Sequence, residues 1–242
     1  MNESVKIIHK VAREMLKPEG FVQLGSSRHY AKDYGYFSIW VTYKPFSYRE
    51  GSLLEVFISF YFDNGYEDEV VRLFIDYDGD EIENKVYKCE AIYDSSQPDE
   101  FEKGIREMTV IALDAIKTYS RFVDLEYACK RYSQYMKPTK FWYFYTFGLL
   151  LLLAGKYNEG IEYLHKTLGE LENKSLPFAI CPILKRKLEV ALKEKFTNRI
   201  QAQEEMVNMV NDIRSRLAKE NKYKRMKLEI PFSLPDQNTH LK

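Results

Sequence analysis

The chain changes its hydrophobic period near residue 98. Ahead of that point aromatic and β-branched residues fall on every second position, as in YGYFSIWVTYK (34–44) and LLEVFISFYF (53–62), which is the period of a strand. Beyond it, apolar residues recur three and four apart almost to the end, which is the period of a helix. This predicts an α+β fold: an antiparallel meander of four to five strands, preceded by one helix and followed by an all-helical C-terminal half. In strand 34–44, Phe37, Ile39, Val41 and Tyr43 line the apolar side, and Ser38 and Thr42 mark the other. Leu54, Val56, Ile58, Phe60 and Phe62 form the apolar side of the second strand. Two further strands, 69–77 and 81–93, flank Asp78-Gly79, a strong tight-hairpin signal.

Ser4 is positioned to cap a first helix over 4–17, with Val5, Ile8, Ala12 and Met15 on one face, and Pro18-Glu19-Gly20 ends it. Ser96 is the expected cap of a helix that carries Phe101, Ile105, Met108, Ala112, Ala115, Ile116 and Tyr119 across the sheet. Pro138 breaks the next helix, and the apolar run 141–154 follows between Lys140 and Lys156. A bilayer span needs about 20 apolar residues, so this shorter run predicts a core helix, paired across Gly155 with a helix over 157–171. The last helices, 183–195 and 197–222, surround a thin stripe of Ile200, Met206, Met209, Val210, Ile213 and Leu217 with charge. The expected organisation is a sheet domain over 1–120, a helical region over 121–223 able to pack with it as one unit, and an irregular tail over 224–242.

Composition adds one unusual feature, 19 Tyr and 15 Phe, concentrated in the strands and in 132–147. A Tyr packs its ring while its hydroxyl reaches water, so a half-exposed sheet face is expected. The 36 basic and 36 acidic residues cancel, which removes any global pull toward nucleic acid or an anionic membrane. Their distribution is uneven: 63–107 holds fifteen acidic and five basic residues, and 185–227 thirteen basic and six acidic. Glu189, Glu194, Glu204 and Glu205 interrupt the basic stretch, which favours ion pairs on helix surfaces over a nucleic-acid interface. Cys89, Cys129 and Cys181 are odd in number and contain no CxxC, so no disulfide framework is expected. With a charged, amphipathic start in place of a signal peptide, these features point to a cytoplasmic protein.

The candidate chemistry is sparse. Asp76, Asp78 and Asp80 begin like a calcium loop, but glycine stands at the fourth position and Tyr87 at the twelfth, where a bidentate carboxylate is required. His9, His29, His165 and His240 form no HxxxH or Cys/His cluster, and no phosphate-loop, dinucleotide or GxSxG pattern occurs. No catalytic residue, metal or cofactor is therefore assigned. Two groups remain as binding candidates. Glu67, Asp68, Glu69, Asp78 and Asp80 make an acidic end suited to a basic partner. Arg28 and His29, beside Tyr30, suit anion binding or acid–base work. The expectation is a non-enzymatic module that contacts a partner protein through the acidic end and the Tyr-rich sheet, such as a bacterial immunity-type protein plugging a basic toxin site. The alternative is a small-molecule or nucleotide-processing enzyme with its pocket between sheet and helices, using Arg28, His29 and strand tyrosines.

Two stretches carry resemblances. Leu16-Lys17-Pro18-Glu19-Gly20-Phe21, followed by Gly25 and Arg28-His29-Tyr30, resembles the opening of a bacterial domain family of unknown function whose first helix ends in an L-K-P-x-G-F turn. The resemblance covers about the first 60 residues and implies no active site. Residues 141–172, with Gly148, Gly160, Leu164 and Thr167, are similar to a single tetratricopeptide-like helical hairpin, with small residues where the helices cross. Leu151 and Thr167 depart from that pattern and no second copy follows, so the resemblance implies a helix pair without a peptide groove.

Overall fold

A computed structural model describes residues 2–63, 70–73, 89–134, 141–172 and 181–234. The change of period is visible as a change of architecture. Helix α1 (Glu3–Met15) precedes strands β1 (Val22–Gln23), β2 (His29–Asp33), β3 (Phe37–Lys44), β4 (Gly51–Asp63), β5 (Val70–Leu73) and β6 (Glu90–Ile92). The later described elements are helical: α2 (Pro98–Ser120), α3 (Leu125–Gln134), α4 (Phe141–Leu153), α5 (Tyr157–Glu172), α6 (Cys181–Val190) and α7 (Arg199–Ala218). The protein is α+β, with an antiparallel sheet in the order β1-β2-β3-β4-β5 and β6 also paired to β4. The Asp78-Gly79 hairpin lies outside the described residues.

Two compact units divide the chain, each drawn from discontinuous stretches. The first takes Met1–Ser59, Arg72–Phe122 and Leu217–Leu228; the second takes Phe60–Val71, Val123–Arg216 and Glu229–Lys242.

In the first unit the apolar side of the sheet meets α2. Phe37, Ile39, Val41, Tyr43 and Ile58 are buried, and so are Phe101, Ile105, Met108, Ala112, Ala115, Ile116 and Tyr119 of the helix. Each aliphatic side chain so buried contributes roughly 1.5–3 kcal/mol, which is what fixes the register of this face. Tyr43 ends inside the core with its hydroxyl 2.6 Å from Thr109 Oγ1, a pairing that removes the penalty of burying it. The helix starts differ from expectation in their caps. Asn2, not Ser4, caps α1: its side-chain oxygen accepts from the Ser4 N–H at 2.9 Å, while the Ser4 hydroxyl bonds Glu50. At α2 the Ser96 hydroxyl bonds Asp94, and Pro98 opens the helix without a side-chain cap.

The opposite side of the sheet is where the alternating pattern misleads. Ser38, Trp40 and Thr42 are as buried as their apolar neighbours. A 3-10 turn, Asn221–Met226, brings Tyr223 edge-on to Trp40 at 6.2 Å between ring centroids. Among the described residues, Tyr30, Tyr36, Tyr43 and Tyr61 are buried, where a half-exposed tyrosine face was expected.

In the second unit α4 and α5 form an antiparallel-type helical pair around Gly148 and Gly160. A Cβ at Gly148 would lie 2.8 Å from Leu164 Cδ2, and one at Gly160 would lie 2.7 Å from Leu152 Cδ2. The helices cross so closely that a Cβ at either position would have to displace its neighbours. Residues 145–153 of α4 are all buried, and among the described residues no helix is long and apolar enough to cross a membrane. On α7, Met206, Val210, Ile213 and Leu217 are buried, but Ile200 is 70% exposed and Ala202 takes the inward position.

Candidate functional site

The described residues include a half-open cleft of about 510 Å³ on the Trp40 side of the first unit. Its size falls in the range that encloses a small molecule, a few hundred to about 1,000 Å³. The floor is aromatic. Trp40 from β3 stacks on Phe57 from β4 at 5.6 Å, and Tyr223 closes against the Trp40 ring from the 3-10 turn. Trp40 is held in place from below, its Nε1–H donating to Ser38 Oγ at 2.9 Å. The indole is buried, at 6% exposure.

The rim is polar, and it follows from the pleat. His29 on β2 pairs with Thr42 on β3 across the ladder, so both project to the same side as Trp40, two residues along. His29 Nδ1 lies 3.0 Å from Thr42 Oγ1 and its ring stands 6.3 Å from Trp40. Glu55 joins from β4, with its carboxylate neutralised by Lys44 at 2.9 Å. The loop Leu24-Gly25-Ser26-Ser27 forms the far wall. Its turn is closed by the Ser27 N–H donating to Leu24 O, and Gly25 sits at φ 59°, where a side chain would strain the backbone. Lys222 completes the rim: its ammonium pairs with Glu220 at 2.9 Å and rests 4.8 Å from the Tyr223 ring centre. The Glu220 carboxylate raises the Lys222 pKa, so the ammonium stays charged at neutral pH.

Of the residues singled out in the sequence, His29 lies in the cleft and Arg28 is not part of its lining. Successive residues of an extended chain point to opposite sides, and Arg28 Nη1 donates instead to Gly51 O at 3.2 Å. Glu67, Asp68, Glu69, Asp78 and Asp80 lie outside the described residues. Among the described residues no cluster of three or more His, Cys, Asp or Glu is placed to hold a metal ion. Trp40, Phe57, Lys222 and Tyr223 were not selected from sequence. The pairing of Trp40 with Phe57 was within reach, since both fall on the non-core side of adjacent strands. The arrival of Lys222 and Tyr223 from the far end of the chain had no local signal.

A second polar constellation lies under α1. His9 is 3% exposed, with Nδ1 2.6 Å from the Tyr30 hydroxyl and 3.2 Å from Gln23 Nε2. Burial lowers its pKa, and the nearby Arg13 and Arg28 lower it further, so the ring is kept neutral. This group is enclosed and has no access to the cleft side of the sheet, because Tyr30 and His29 project oppositely.

No protein-family model, curated protein or solved structure matches this chain. The site is therefore read from its own geometry.

Proposed function

We propose that this protein acts by binding rather than by turnover, and that the Trp40 cleft of the first unit holds what it binds. The observation that carries this reading is the layering of the cleft. Three buried aromatic rings from three elements pack together beneath it, and the ionisable groups of the rim each have a neighbour: Lys222 with Glu220, Glu55 with Lys44, His29 with Thr42. A Trp and a Tyr beneath a rim of polar side chains support a binding role for this cleft. If the target is a partner protein of basic character, Glu67, Asp68, Glu69, Asp78 and Asp80 would speed its approach through long-range attraction. Free thiols at Cys89 and Cys129 suit a reducing compartment such as the cytoplasm.

The protein has two tryptophans, Trp40 and Trp142. A Trp142→Phe variant leaves Trp40 as the sole indole reporter. Titration with planar small molecules and with aromatic-bearing peptides is expected to give a saturable change in emission for at least one class, lost in Tyr223→Ala. Absence of any saturable change refutes the cleft as the site. Conversion of a bound compound to product refutes binding without turnover.

A further inference from the structure

We propose that the face of α7 carrying Asn211 and Arg214 is a docking site for an extended segment of a partner protein, and that residues 229–234 of this chain occupy it as a built-in competitor. The site lies in the second unit and is independent of the Trp40 cleft. The segment, Glu-Ile-Pro-Phe-Ser-Leu, contains no helix or strand, yet its main chain is fastened to α7. The Phe232 N–H donates to Asn211 Oδ1 at 2.7 Å, and Asn211 Nδ2 donates to the Phe232 carbonyl at 3.0 Å. Arg214 Nη2 donates to the Ile230 carbonyl at 2.9 Å. Asn211 and Arg214 stand three residues apart and so share one face of the helix. The carbonyls of Ile230 and Phe232 stand two apart and both turn to that face, as alternate residues of an extended chain do.

These bonds read a backbone. The Asn211 amide offers one acceptor and one donor to the N–H and C=O of a single residue, so it fits any residue that keeps its N–H and takes nothing from the side chain. In peptide recognition such main-chain bonds supply affinity, and pockets for side chains supply selectivity. Phe232 and Leu234 are half-buried, whereas Glu229, Ile230, Pro231 and Ser233 are exposed, Ile230 at 59%. The tail thus leaves much of its apolar surface in water, and a segment held chiefly by hydrogen bonds at the surface opens more readily than a core element. The helix side of the site is firmer. Arg214 is 3% exposed, with its guanidinium 5.5 Å from the Tyr61 ring centre. Pro231 fixes its own φ and biases Ile230 toward an extended backbone, which sets the two carbonyls in place beforehand. A partner segment with an aliphatic residue, a proline and an aromatic residue in that order meets the same three bonds.

A fluorescein-labelled peptide with the sequence of residues 228–234 and blocked ends stands in for the partner segment, and its anisotropy is followed on titration with the full chain. In wild type the tethered tail competes at an effective concentration on the order of millimolar. Phe232→Pro removes the N–H that Asn211 accepts and so disables the competitor. This variant is expected to bind the peptide saturably and about tenfold or more tighter than wild type. Methylating the peptide on its Phe232 nitrogen should cost about tenfold or more, a change confined to the ligand that misfolding of the protein cannot imitate. Asn211→Ala in the Phe232→Pro chain should cost a similar factor. No saturable binding to Phe232→Pro overturns the docking site. Equal binding by wild type and Phe232→Pro overturns the tail as competitor, and binding indifferent to N-methylation and to Asn211→Ala overturns the location. A wild-type dimer in analytical ultracentrifugation that Phe232→Pro converts to monomer makes a second copy's tail the occupant and overturns the assignment to another protein.

Discussion

Replacing Gly148 or Gly160 by alanine sets two known effects against each other. Inside a helix, Gly→Ala gains about 0.8–1 kcal/mol from propensity alone. At Gly148 the new methyl would lie 2.8 Å from Leu164 Cδ2, 2.9 Å from Leu164 Cγ and 3.1 Å from Gly160 O. At Gly160 the corresponding distances are 2.7 Å and 2.9 Å to Leu152 and 3.0 Å to Gly148 O. A leucine tip can rotate away, but Cγ and the carbonyl move only if the helices separate. Overpacking of that kind costs about 1–3 kcal/mol, so each variant is expected to lose roughly 0–2 kcal/mol net. Gly169 on the same α5 helix provides the control, because its Cβ would meet nothing within 4 Å. Gly169→Ala should therefore gain most of the propensity term. Urea denaturation at constant slope reads the difference as a shift in midpoint, to higher urea for Gly169→Ala and to lower urea for the other two. If Gly148→Ala and Gly160→Ala stabilise as much as Gly169→Ala, the close crossing is not what holds this helix pair.

Phe60, fully buried on β4, should cost about 3–5 kcal/mol when cut to alanine, measured by the same denaturation. The lowered pKa of His9 means the folded state holds its proton less tightly than the unfolded chain. The stability this contributes is complete above about pH 6.5 and is lost as the pH falls from there through the folded value. Wild type should thus lose urea resistance between pH 7.5 and 5.5, and His9→Gln should lose less; an unchanged pH dependence in the variant would remove His9 as the cause. Burial pushes the Cys129 thiol up to about 12, so iodoacetamide at pH 8 should leave it unmodified until the protein unfolds, as mass spectrometry of digests would show.

The sequence carried the class of the fold because the two periods are physical constraints on which side chains share a face. The seven apolar positions assigned to the long helix after residue 98 are all buried in α2, with Thr109 beside them. It carried less about the sheet. Alternation in β3 and β4 reads as one buried face and one wet face, yet Trp40, Thr42, Phe57 and Ser59 are buried as well. Trp40 meets Tyr223 of a turn whose apolar residues lie among Lys219, Lys222, Lys224 and Arg225 and present no period of their own. The caps were misread for a local reason. Ser4 and Asn2 both carry a capping oxygen, and only the backbone decides that Asn2 takes the extended position at the helix entrance. Within the candidate site, His29 was legible as a chemical type, and its partners were not, because tertiary contact alone assembles them.

The composition of the first unit bears on how the protein is made. This unit contains the N-terminal helix and most of the sheet, yet Leu217–Leu228 belongs to it as well. During synthesis the ribosome delivers α1 and β1 to β4 early, and the second-unit stretch Val123–Arg216 must then emerge before Tyr223 can reach Trp40. Until that moment the nascent chain displays an indole and a stacked phenylalanine on an unfinished sheet, the kind of surface that chaperones hold and that aggregation exploits. Translation pauses or stop codons ahead of Leu217 would release chains with that surface uncovered, so quality control should act most strongly on products cut short there.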